Sequence, residues 1–174
     1  MKRIITIACG CLCTSLLAAS LAAGNNTSSN SHAKNVAAKQ CAAQKKASKA
    51  AFRATYGKHA MRNCIKGTTD EASQELKNAA KECKAAREAD PQGFHEQYGT
   101  NHNGQNAFGK CVSGKVKHEV KEDVAEFKNA AKECKAARDA DPEGFHQQYG
   151  TNHNGRNALG KCISGKVKHQ ESQD

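Results

Sequence analysis

The chain has no tryptophan, two prolines, and only five phenylalanines and three tyrosines in 174 residues. Aromatic side chains supply the most buried area per residue, so a set this sparse excludes one large aromatic core. Among the six cysteines that follow residue 24, none stand at the close spacing typical of zinc ligands, which argues against thiolate metal binding there. Neither a paired acid and base, nor a nucleophile with a partner histidine, nor a glycine-rich phosphate loop emerges, and a non-catalytic protein is expected. Residues 25–69 contain no Asp or Glu at all. A solvated helix face normally mixes both signs, so this stretch is marked out by what it lacks.

What is present is repetition. Residues 75–119 recur 51 positions later as residues 126–170, with 37 of 45 identical. The differences are mild, including Leu76/Phe127, Phe108/Leu159 and Val112/Ile163, so both copies are expected to fold alike. A shortened copy lies upstream. Cys41, Phe52, Tyr56 and Gly57 match the spacing of Cys83, Phe94, Tyr98 and Gly99, after which five residues are omitted. All eight aromatics fall on repeat positions. The sequence therefore predicts one small core built three times.

Residues 1–24 read as a signal peptide: Lys2 and Arg3, then an apolar run from Ile4 to Ala23, then small-x-small cleavage candidates. Residues 25–35 are polar and read as a disordered leader. Basic unit one follows at 36–67, unit two at 75–119, unit three at 126–170, and a tail at 171–174. Beyond the targeting segment stand six cysteines, two per unit, which in an exported chain read as a disulfide framework. A duplicated unit must fold both before and after duplication. The simplest pairing is thus Cys41–Cys64, Cys83–Cys111 and Cys134–Cys162, with Cα atoms roughly 5–6 Å apart. A bridge closing nearly 30 residues removes on the order of 3–4 kcal/mol of unfolded-chain entropy, comparable to the margin of so small a core.

Local signals give three helices per unit and an all-α fold. In unit three the first runs from about residue 126 to 140, and Asp141-Pro142 then opens a short helix with Asp as N-cap and Pro at N1. Phe145 and Tyr149 sit one turn apart on it, and Gly150 is expected as its C-cap glycine. A turn at residues 151–155 leads to a third helix capped by Asn157. An apolar stripe runs through Phe108, Val112, Val116, Val120, Val124, Phe127, Ala131 and Cys134 at steps of three and four. One helix of about 34 residues is therefore shared between units two and three. Between units one and two, Gly67 suits a C-cap while Thr68 with Glu71 matches a capping box, which predicts a break. The repeated aromatics are expected to be core, Phe94 and Tyr98 packing on the Cys83–Cys111 bridge and Phe108.

Charge carries the functional expectation. Residues 25–69 hold nine Lys or Arg, whereas units two and three carry seven basic against six acidic and eight against five. Lys39, Lys45, Lys46, Lys49, Arg53, Lys58, Arg62 and Lys66 are the expected polyanion-binding set, toward a cell-envelope polymer, nucleic acid or a lipid surface. No RNA-binding aromatic motif, helix-turn-helix signature or zinc finger narrows the ligand. The repeated histidines (His95, His102, His146, His153) have no carboxylate or cysteine at ligand spacing, so neither a metal site nor a cofactor is expected. No small-molecule substrate is evident. The alternative expectation is a structural or protein-interaction repeat whose copy number sets valency.

The pattern C-x10-F-x3-Y-G-T-N-x-N-x-x-N-A-[FL]-G-K-C-[VI]-S resembles a small exported bacterial repeat module of no assigned function. It covers residues 78–117 and 129–168, and 41–67 in shortened form. The resemblance implies export to the periplasm, cell surface or medium, and pairing of the two cysteines within each unit. It implies no activity.

Overall fold

Four long helices and three short ones make up the computed structural model, which describes residues 26–101, 103–152 and 154–171. They are α1 (Asn26–Ala47), α2 (Lys49–Tyr56), α3 (Ala60–Ala89), α4 (Pro91–Tyr98), α5 (Ala107–Ala140), α6 (Pro142–Tyr149) and α7 (Ala158–Glu171). Each unit is long helix, short helix, long helix. Because α3 closes the first unit and opens the second, and α5 does the same one unit later, three units need only four long helices. The signal peptide expected at 1–24 and the end of the tail lie outside the described residues.

The staples are those expected. Cys41–Cys64 ties α1 to α3, Cys83–Cys111 ties α3 to α5, and Cys134–Cys162 ties α5 to α7, each with Cα atoms 6.0 Å apart. All six cysteines are buried. The short helices start as their sequence dictates: the Asp90 and Asp141 carboxylates accept from the amides of Gly93 and Gly144 at 2.9 Å, with proline next in line. On every short helix the Phe and Tyr rings lie 4.9 Å apart. Phe94 packs with Cys83, Cys111 and Ala107, and Tyr98 and Phe108 lean on that cluster. The aromatics are core.

Three local expectations are corrected. First, no break interrupts α3 at residues 67–71. Thr68 and Thr69 turn their hydroxyls back to the carbonyls of Cys64 and Ile65, one turn earlier, instead of capping a new helix. Thr68 and Ala72 are buried, and Ala72 packs with Ala33 and Ala37 of α1. Tertiary packing overrides a local stop signal there.

Second, residues 26–35 are not a disordered leader but the first turns of α1. The inward face of α1 is Ala33, Ala37, Gln40, Cys41 and Gln44, at helical spacing and all buried. Small and polar residues leave little apolar periodicity to read.

Gly150 caps α6 as expected, at φ −77°. Glycine stands there because a Cβ would lie 2.4 Å from the His146 carbonyl oxygen.

Third, Asn157 spends its side chain on the turn: Oδ1 accepts from the Thr151 amide and Nδ2 donates to Thr151 Oγ1 at 2.6 Å. Asn106 makes the equivalent bonds to Thr100, and no cap bond to α5. The repeated turn is thus tied by its own asparagines. Gly104 and Gly155 hold its left-handed positions, at φ 64° and 61°.

The three cores are not three. Units one and three share one cluster: Cys41, Phe52 and Cys64 pack with Phe127, Cys134, Phe145, Cys162 and Ile163. Unit two keeps a separate small core. Short helix α2 lies directly on α7. A Cβ on Gly160 would stand 2.2 Å from the Ala54 carbonyl oxygen. Only glycine permits that approach.

Candidate binding surfaces

The eight cations singled out from the sequence are all solvent-exposed. Lys39, Lys45 and Lys46 lie on α1, Lys49 and Arg53 on α2, Lys58 in the turn after it, and Arg62 and Lys66 on α3. The Cys41–Cys64 bridge holds these elements in one stapled unit. None of the eight enters a salt bridge among the described residues. Some lysines of the other units are paired. Lys115 reaches across to Glu82 at 2.7 Å, and Lys166 to Glu133 at the same distance. In both, the hydrogen bond to the glutamate raises the ammonium above its ordinary range, against a smaller opposing effect of burial. Among the described residues, four of the fifteen cations of units two and three pair with a carboxylate, whereas none of the eight in unit one does.

A second surface escaped the sequence reading. Between α1, α3, α5 and α7 lies a cleft of about 970 Å³ lined by Glu71, Glu75, Glu119, Glu122, Asp123 and Glu126, with Lys168 as its one lysine. None of the eight exposed cations lines it. Helices α3 and α5 run antiparallel, so Cys83 meets Cys111 at one level and Glu71 and Glu75 meet Asp123 further along. One carboxylate oxygen from each of these three residues lies within 4.8 Å of the others.

Burial, followed by the charges of Glu75, Glu71, Glu126 and Glu119, pushes the Asp123 carboxyl up to about 7. From α1, Gln40 Nε2 donates to Asp123 Oδ2 at 2.9 Å. Gln40 is 2% exposed, and its carbonyl oxygen has no hydrogen-bond partner among the described residues. Deeper in α1, Gln44 Oε1 accepts from the Tyr56 hydroxyl at 3.0 Å, joining α2 to the wall. At the surface, His118 Nδ1 lies 3.1 Å from Glu122 Oε2.

A signal for the cleft was available in the sequence. Glu71/Glu75, Glu119/Asp123 and Glu122/Glu126 are like charges one turn apart, an arrangement that works against an isolated helix. That cost is a reason to look for a tertiary purpose. The repeated histidines His95 and His146 are not gathered with it: the His95 ring packs against Gly104 in its turn, and His146 against Gly155.

Comparison of the chain with protein families, curated proteins and solved structures gave no match.

Proposed function

We propose that this chain is an exported, non-catalytic repeat protein that holds an anionic polymer or surface on its basic first unit. The observation that carries this reading is the exposure of all eight cations of unit one without an internal carboxylate partner among the described residues. A cation already paired gains little from a phosphate or sulfate, whereas an unpaired one releases the counterions of its polyanion. Export is supported by three disulfides, which persist in oxidising compartments. Among the described residues no helix is long and apolar enough to cross a membrane.

Binding to duplex DNA, to a sulfated polysaccharide and to phosphatidylglycerol vesicles would be measured at 50 and 200 mM salt. Affinity should fall steeply with salt. Lys45→Glu, Lys46→Glu, Lys49→Glu and Arg53→Glu combined should weaken it more than ten-fold, whereas Lys84→Glu with Lys110→Glu and Lys117→Glu should change it far less. Equal losses from both sets would defeat the assignment to unit one.

One observation favours the alternative, a protein-interaction repeat. The α7 face that receives α2 in unit three has its counterpart in unit two at Gly109, Val112 and Ser113, where a Cβ on Gly109 would touch nothing. Binding that depends on Val112→Glu, and not on the unit-one lysines, would support that reading instead.

A further inference from the structure

Two dipeptides in the repeated turn carry a chemistry that neither the core nor the basic surface uses. Asn103-Gly104 and Asn154-Gly155 are the chain's Asn-Gly pairs. Both asparagines are exposed, and both glycines stand at left-handed φ, 64° and 61°. A glycine after asparagine leaves its amide nitrogen unshielded by any Cβ. That nitrogen can close a five-membered ring on the asparagine's own Cγ. The helical Asn63, Asn78 and Asn129 have larger residues after them and a backbone already committed to α3 and α5.

The turn assembles more than a nucleophile. Asn103 Oδ1 accepts from the Gln105 amide at 3.3 Å, and Asn154 Oδ1 accepts from the Arg156 amide at the same distance. A donor in that place polarises the carboxamide and faces the negative charge that grows on its oxygen as the ring closes. From the short helix, His95 turns Nδ1 toward the glycine. A Cβ on Gly104 would stand 2.4 Å from it, and one on Gly155 would stand 2.3 Å from His146 Nδ1. Imidazole is the side chain suited to exchanging protons near neutral pH, so a proton acceptor lies beside each glycine. One bond holds the reaction back. The Gly104 N–H donates to the Asn101 carbonyl at 3.0 Å, as Gly155 does to Asn152, and must leave it before attack. The chemistry is therefore slow and waits on brief opening of the turn.

We propose that Asn103 and Asn154 are self-modifying sites, at which the turn converts asparagine to aspartate and isoaspartate. The Gly104 nitrogen attacks Asn103 Cγ while His95 takes the amide proton, and the Cγ–Nδ2 bond then breaks. Nδ2 leaves as ammonia, carrying that proton, and a succinimide ring remains. Water adds to either ring carbonyl. Opening at one gives aspartate, and opening at the other gives isoaspartate. Gly155, Asn154 and His146 take the same parts in unit three. Each event adds one negative charge, so the two together lower the chain's net charge from +10 to +8. Both charges fall on units two and three, which widens their electrostatic contrast with unit one. Isoaspartate also lengthens the backbone by a methylene, inside a turn whose ends Asn106 ties together by its 2.7 Å bond to Thr100.

The test is to hold the full oxidised protein at pH 7.4 and 37 °C for several weeks, sampling it by peptide mapping and by isoaspartyl methyltransferase labelling. Asn103 and Asn154 should convert ahead of Asn63, Asn78 and Asn129, with isoaspartate in excess over aspartate and ammonia released in step. Asn103→Gln should silence that site alone, because its longer side chain would need a larger ring. His95→Gln should slow Asn103 several-fold while leaving Asn154 and the melting temperature unchanged. Its rate should also rise less steeply than the parent's between pH 6 and 8, which a merely structural role for the imidazole would not produce. The proposal is overturned if neither site converts, if aspartate forms without isoaspartate, or if His95→Gln keeps the parent's rate and pH profile.

Discussion

Units two and three are nearly one sequence in two settings. Both fold as a stapled helix pair closed by a Phe–Tyr helix, with the same cap, the same asparagine-tied turn and the same Lys–Glu pair at 2.7 Å. Their outward faces diverge. Ile163 is fully buried while its counterpart Val112 is only partly buried, and Gly160 is pressed against Ala54 while Gly109 faces open space. Unit two uses its Phe108 differently as well, placing the ring under the Arg87 guanidinium at 5.2 Å, where unit three has Leu159 in the shared core. The inner face of the module therefore makes the fold, and the outer face of its last helix decides the neighbour. In unit three that neighbour is the α2 helix of unit one, so the basic unit is mounted on the module farthest from it in sequence.

The largest way to strain the comparison is to empty the two cores. Phe145→Ala opens a cluster shared by two units and should cost about 3–5 kcal/mol, read from denaturant melts of the oxidised protein. Phe94→Ala opens only the small core of unit two. It should cost less overall and leave units one and three protected from hydrogen exchange. Equal, global losses from both would mean that the two cores are not separate.

A smaller change is expected at the joint between the units. The Asp123 carboxyl is raised from 3.8 to about 7, so between those pH values the native state holds a proton that the unfolded chain has released. Its contribution to stability is present in full below about pH 4 and is lost as pH rises through 7. Asn cannot titrate. Asp123→Asn should therefore melt higher than the parent at pH 8, and the gap should close toward pH 4. A gap independent of pH would contradict the buried position of this carboxylate.

Much of this was legible in residues 75–170. The cysteine pairing, the Asp-Pro helix starts, the buried Phe–Tyr pairs and the 34-residue α5 all follow from short-range spacing and from the repeat itself. What escaped is non-local. The start of α1 buries Ala33, Ala37 and Gln40, residues that give almost no apolar signal. The continuity of α3 depends on α1 lying across Thr68 and Ala72, which no capping rule contains. The acidic cleft joins Glu75 to Asp123, 48 positions apart and on helices whose pairing only the Cys83–Cys111 bridge fixes. A glycine inside a helix is by propensity alone a weak point; the purpose of Gly160 appears only when Ala54 is beside it.

That glycine gives the most direct test of the central claim, that equivalent faces of units two and three have different neighbours. Gly160→Ala and Gly109→Ala would be compared by thermal and denaturant melts. Gly160→Ala drives a methyl into backbone and should cost about 1–3 kcal/mol, with α2 becoming open to proteolysis. Gly109→Ala meets nothing and should gain up to about 1 kcal/mol from helix propensity. Opposite signs are predicted; two gains, or two equal losses, would contradict the docking of unit one on unit three.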